Sequence, residues 1–271
     1  MANSHDLPNG LAGGVSRRQL GLAGAAGLAA FIAGCTERST STSAPAAESV
    51  SSAPEPHPPT VVAAPHNPVV EAAAPIVSGV MLCRESWGAR PALPGGRTQT
   101  VERMTLHHSA VALPDNREIV TRLQQHQRFH QDDKGWVDIA YHAAVDRDGN
   151  IFALRDTAIA GDTATDYDTM GHFLVLAEGN FDEEFVSEAQ LAGTALVLAW
   201  AAKTFGITVN TLASHREVAA GTSCPGANLE THMVAGDLKQ RVADLLNTEF
   251  ELRAICGPEA AARVAAIEAG R

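Results

Sequence analysis

Apolar and polar positions are distributed unevenly along the chain, and past residue 79 each apolar run predicts an element. RMTLHHSA (103–110) predicts a short strand ending in polar residues. REIVTRLQQHQRFH (117–130) sets Ile119, Val120, Leu123 and Phe129 at helix-like spacing. IAYHAAVDRDGNIFAL (139–154) is two alternating runs joined at Asp148-Gly149, which predicts a hairpin. HFLVLAEGNF (172–181) opens as a nearly unbroken apolar run, the pattern of a strand buried on both faces. SEAQLAGTALVLAWAAKTFG (187–206) is the clearest helix, with Ser187 and Gln190 in capping-box register and Gly206 at the stop position. A short strand is expected over 211–214. Helices are expected near 235–247 and 258–269, the second with Pro258 at its first position. Strands alternating with helices imply the α/β class: a single domain with a central mixed, mostly parallel β-sheet flanked by helices.

The first 78 residues lack this patterning. Arg17 and Arg18 precede an apolar stretch that ends Phe31-Ile32-Ala33-Gly34-Cys35. It is too short and glycine-rich for a membrane span, which needs about 20 apolar residues. Residues 1–34 therefore read as a twin-arginine export signal. The aliphatic-Ala-Gly-Cys ending resembles the lipobox of bacterial lipoproteins. That implies lipidation of Cys35 and a membrane-anchored protein of the cell envelope. A cleaved signal with an incidental cysteine and an uncleaved anchor are the alternatives. All three place the domain outside the cytoplasm, where disulfides persist. Residues 35–78 are rich in Ser, Ala and Pro and cannot bury a core, so they read as a disordered tether. A flexible chain of that length reaches roughly 35 Å. Residues 79–271 make one domain's worth of chain.

The formal charge of -11, from 20 basic and 31 acidic residues, argues against a nucleic-acid partner. Candidate chemistry centres on SHREVAAGTSCPG (214–226), where Cys224 follows His215 ahead of a Pro-Gly turn. It is either part of a metal clamp or half of a disulfide. Zinc accepts imidazole nitrogen and thiolate sulfur, and a catalytic zinc keeps three protein ligands and one open position. TLHHSA offers a third ligand at the end of another strand. Neither stretch is specific alone.

SWGAR (86–90), LHHSA (106–110), GWVDIAYH (135–142) followed by DRDGNIF, EGNFDEE (178–184) and SHREV with CPG stand in the order of one family. Over residues 84–229 the domain resembles the zinc-dependent type 2 N-acetylmuramoyl-L-alanine amidases, which share their fold with the peptidoglycan recognition proteins. The resemblance implies His107, His215 and Cys224 as ligands of Zn2+. It implies that the Tyr141 hydroxyl faces the metal's open position. Thr222 stands where some members carry a catalytic lysine and others a threonine. The substrate implied is peptidoglycan, and the bond is the amide between N-acetylmuramic acid and L-alanine. A non-catalytic muropeptide-binding receptor module is the alternative function.

This sequence also departs from the family pattern. Nine positions separate His215 from Cys224 where the family usually has eight. In GDTATDYDTMGH, Asp162 and Asp168 stand near the family's histidine and asparagine, and His172 is out of register. Substrate contacts in that stretch do not carry over.

Trp136, Arg155 and His130 are groove residues by position only. Trp136 could equally be core, and Arg155 could pair with Asp156 or another acid. Glu178 is a proton donor for the leaving amine if it reaches the cleft, and otherwise a strand-end carboxylate in solvent. His126 and His130 have a metal-compatible i, i+4 spacing but no third ligand. His108 and His142 read as structural. Cys83 and Cys256 flank the domain and are expected to form a disulfide, the alternative being two buried thiols. A monomer is expected.

Overall fold

The computed structural model describes residues 76–271. The signal, Cys35 and nearly all of the tether lie outside the described residues. Seven strands form one sheet: β1 (Val77–Leu82), β2 (Arg103–His108), β3 (Ala143–Val145), β4 (Ile151–Ala153), β5 (His172–Ala177), β6 (Leu212–Ser214) and β7 (Phe250–Ile255). Their order is β6-β2-β5-β3-β4-β1-β7. Every neighbouring pair is parallel except β3 and β4. The mixed, mostly parallel sheet expected from the alternation of elements is the one observed. Helices α1 (Ile119–Arg128), α2 (Glu188–Phe205), α3 (His215–Val218), α4 (Ala227–Val234), α5 (Asp237–Leu246) and α6 (Gly257–Glu268) complete the domain. Among the described residues no helix is long and apolar enough to cross a membrane.

β5 shows why the sheet needs helices on both sides. All six of its residues are buried. Side chains alternate across a strand, so Phe173 and Val175 enter one core with α2 and α5, while Leu176 enters the other with α1 and α6. α2 is apolar almost all round because it is packed between the sheet and α5. Ser187 Oγ accepts the Gln190 N–H at 3.0 Å, and Gly206 ends the helix at φ 67°. The Gln190 side chain does not close the capping box. It donates instead to the carbonyls of Val145 and Glu178.

The hairpin is shorter than its alternation suggested, with register Ala143↔Ala153 to Val145↔Ile151. Asp146 accepts N–H bonds from Asp148 and Asn150 in the turn. Gly149 is required there: at φ 82° a Cβ would sit 2.4 Å from the Ala189 carbonyl oxygen. α1 also ends early, in a π-type turn (Phe129–Asp133) that leaves Phe129 exposed and buries His130.

Four elements were not expected from the pattern: β1, β7, α3 and α4. β1 opens at Val77, two residues inside the stretch read as tether. It pairs with β7 from Val77↔Phe250 to Leu82↔Ile255. The next residue on each strand is a cysteine, and the Cys83 and Cys256 sulfurs are bonded, with Cα atoms 5.0 Å apart.

Candidate metal centre

The sheet places three donors together. His107 is the last residue but one of β2, and His215 opens α3 directly after β6, the strand beside β2. Both therefore sit at the carboxyl ends of parallel strands, where open α/β sheets form their crevices. Cys224 comes back to them on the following loop. One donor atom from each of the three lies within 4.8 Å of the others, and all three residues are buried. His107 Nδ1 is 3.1 Å from His215 Nδ1 and 3.7 Å from Cys224 Sγ. A tetrahedral zinc with ordinary bond lengths separates two nitrogens by roughly 3.3 Å and nitrogen from sulfur by roughly 3.6 Å. The donor set fits that ion.

Local interactions hold the loop in place. The Ser214 N–H donates to Glu217 Oε2 at 2.6 Å where α3 starts. The Arg216 N–H donates to the Cys224 carbonyl at 2.9 Å, and its guanidinium reaches the Ser223 carbonyl. The His108 N–H points at Cys224 Sγ from 3.3 Å. Burial, then the neighbouring His215, holds the His107 imidazole well below its ordinary pKa. Burial takes His215 down to about 4 and pushes the Cys224 thiol up to about 12. Neutral imidazoles suit a cation, and a metal entering here must displace the thiol proton.

The donors open into a cleft of ≈ 360 Å³ whose walls include Tyr141, His130, Trp136, Lys134 and Thr222. The Tyr141 ring lies 5.3 Å from the His107 ring. Burial, first among its causes, raises the Tyr141 phenol well above the usual tyrosine range, so it remains a donor. Thr222 Oγ1 accepts the Cys224 N–H at 3.2 Å. The Trp136 and His130 rings pack at a tilt of 37° with centroids 4.8 Å apart. His130 Nδ1 accepts the Ala140 N–H, and burial followed by His126 lowers its pKa to about 3.

Two positional expectations are corrected. Arg155 is not on the cleft wall. It is buried, and its guanidinium donates to the carbonyls of Ile139, Asp138 and Ala160 and to Asp162 Oδ2. An arginine with its donors spent internally is a brace rather than a substrate contact. Glu178 is neither in the cleft nor in solvent. It is fully buried, where it accepts Ser109 Oγ–H at 2.8 Å and lies 3.0 Å from His126 Nε2 and 3.4 Å from Arg122 Nη1. Asp162 pairs with Arg155, and Asp168 pairs with Arg97 at 2.8 Å. His126 and His130 share no cation-sized space with a third donor among the described residues.

Sequence reasoning missed two hydroxyls. Thr165 Oγ1 lies 2.7 Å from His215 Nε2, and the Tyr167 hydroxyl 3.3 Å from His107 Nε2. Their only signal was position, inside the stretch that departs from the family pattern.

A mixed sheet with a His/His/Cys group at the ends of its parallel strands, open to a cleft, defines a class: an α/β domain with a candidate metal centre at the strand ends. The particular family follows from comparison. Residues 97–227 match the family model described as N-acetylmuramoyl-L-alanine amidase, and this domain belongs to that family. Peptidoglycan-recognition protein SC2 of Drosophila melanogaster is 26% identical over 166 residues, covering 59% of this chain and 88% of the relative. The N-acetylmuramoyl-L-alanine amidase of Sus scrofa is 32% identical over 151 residues, covering 53% of this chain and 25% of that longer protein. A solved structure of peptidoglycan recognition protein-LE in complex with tracheal cytotoxin, a monomeric diaminopimelic acid-type peptidoglycan, aligns with a TM-score of 0.51 at 25% identity, covering 56% of this chain and 92% of that chain.

Proposed function

We propose that this protein is a zinc-dependent amidase of peptidoglycan. It cleaves the amide between N-acetylmuramic acid and L-alanine. It works as a monomer outside the cytoplasm, anchored to a membrane through a lipid on Cys35. The observation that carries the reading is the convergence of His107, His215 and Cys224 at the floor of a cleft whose wall holds a protonated Tyr141.

Zinc held by those three residues would supply a nucleophilic water near neutral pH and polarise the scissile carbonyl. Attack on an amide builds negative charge on that oxygen, and the Tyr141 hydroxyl donates a hydrogen bond to it. A donor of this kind is worth about 3 kcal/mol. Thr222 keeps its own hydroxyl proton free while Oγ1 accepts the Cys224 N–H, so it orients substrate without adding charge. Trp136 and His130 offer an aromatic wall to the substrate. Glu178 is sealed beneath the cleft and delivers no proton to the leaving amine.

Digestion of purified peptidoglycan, read by product mass, tests the proposal. Release of intact stem peptides with a free L-alanine amine supports it. Tight binding of the same material without cleavage supports the receptor instead. Export is tested with reporter fusions carrying Arg17→Lys and Arg18→Lys together; undiminished export refutes the twin-arginine route.

A further inference from the structure

The cleft side of the two histidines is accounted for by the metal reading; their outer nitrogens are not. Both rings turn Nδ1 toward the shared space, so the proton of each neutral ring belongs on Nε2 when Nδ1 faces a cation. That N–H needs an acceptor, or the ring is free to turn and to change tautomer. Thr165 Oγ1 stands 2.7 Å from His215 Nε2, and the Tyr167 hydroxyl 3.3 Å from His107 Nε2. Thr165 Oγ1 is also 2.8 Å from Thr163 Oγ1, so it can accept from the ring and pass its own proton on. The Tyr167 ring is wedged between His215 and His172, at centroid distances of 5.2 and 5.4 Å.

The segment carrying these hydroxyls is tied down at both ends. Asp162 is held by Arg155 at one end. At the other, Asp168 is held by Arg97, and Thr169 Oγ1–H donates to the Gly161 carbonyl at 2.7 Å. We infer that residues 161–172 form a strap whose Thr165 and Tyr167 are positioning residues for the metal site, accepting the Nε2–H of His215 and His107 and so fixing both rings with Nδ1 inward. This inference rests on the zinc reading above. It gives the stretch that departs most from the family pattern, whose Asp162, Thr163, Ala164 and Thr165 also line the cleft, a role in holding the metal.

The test is zinc affinity of the full chain, measured by competition with a chromophoric chelator, together with the absorption spectrum of the cobalt-substituted protein. Thr165→Val and Tyr167→Phe remove one acceptor each with little change of shape. Each should weaken zinc by about 10- to 100-fold and alter the cobalt bands, as loss of an outer partner does at other metal sites. Thr165→Ser, which keeps the hydroxyl, should restore wild-type affinity. Affinities within about twofold of wild type and unchanged cobalt bands in both variants would overturn the inference while leaving the zinc site standing. A wild-type chain that takes up no zinc, or a His107→Ala chain that binds it equally well, would overturn the zinc reading and this inference with it.

Discussion

Replacing Cys83 and Cys256 together by alanine should cost stability and leave the metal centre untouched. The bond joins residues 173 apart in sequence. Closing a loop of that length in the unfolded chain is worth about 5 kcal/mol in the chain-entropy model, and native disulfides return about 2–5 kcal/mol when removed. The bond sits one residue beyond the Leu82↔Ile255 pair, at the β7 edge of the sheet, whereas His107 and His215 belong to β2 and the β6 edge. Its loss therefore acts on the unfolded chain and on the end of the β1–β7 pair. For a domain of this size each kcal/mol moves the thermal midpoint by about 2–4 °C, so a loss near 3 kcal/mol lowers Tm by roughly 6–12 °C. Unfolding followed by circular dichroism, with zinc uptake measured on the same samples, reads both halves. Reductant added to the wild type should reproduce the variant's midpoint. A midpoint within about 2 °C of wild type would show that the bond neither restricts the unfolded chain by the expected amount nor holds the end of the β1–β7 pair.

Arg155→Met should destabilise the domain by about 3 kcal/mol or more, since it strands three carbonyls and Asp162; muropeptide affinity of the folded variant should not change, and a selective loss of that affinity in a stable variant would restore the groove role. Tyr141→Phe should lower turnover by about 100-fold with zinc affinity and Tm retained; full activity in steady-state assays would remove Tyr141 from the mechanism. Burial takes His142 down to about 4 and His130 to about 3. Unfolded imidazoles take up protons from about pH 6.5. Between there and about 4 the unfolded chain binds more protons, so this contribution is intact above pH 6.5 and is lost as pH falls through the window. Urea midpoints of the metal-free protein should be lower at pH 5 than at pH 7.5, and the reverse order would contradict the assignment.

What the sequence could show follows from where each residue type is buried. β5 and α2 were legible because unbroken apolar runs have few homes outside a sheet covered on both faces. β1 and β7 were not. VSGVML ends a Ser/Pro-rich stretch, and FELRAI puts Glu251 and Arg253 among its apolar residues because the outer edge of the sheet is half exposed. α4 buries only Leu229, Glu230 and Met233, too few positions to establish a period. Within the site, His107, His215 and Cys224 are residue types with narrow chemistry in a recognisable order of motifs. Thr165 and Tyr167 are ordinary hydroxyls whose purpose appears only when the strap lies against the histidines. Arg155 and Glu178 misled for the opposite reason. Charged residues are usually exposed, and nothing in the sequence announces that Glu178 is sealed inside by Arg122 and His126, or Arg155 by Asp162 and three carbonyls.

Titrating zinc into the metal-stripped full chain, while following release of stem peptides from peptidoglycan alongside bound zinc, decides whether this protein is a zinc amidase. Cleavage should rise in proportion to zinc and saturate at one ion per domain, and the His107→Ala chain should neither bind the ion nor cleave. Cleavage that persists without zinc, or zinc bound at full occupancy with no cleavage at all, would contradict the zinc-amidase reading.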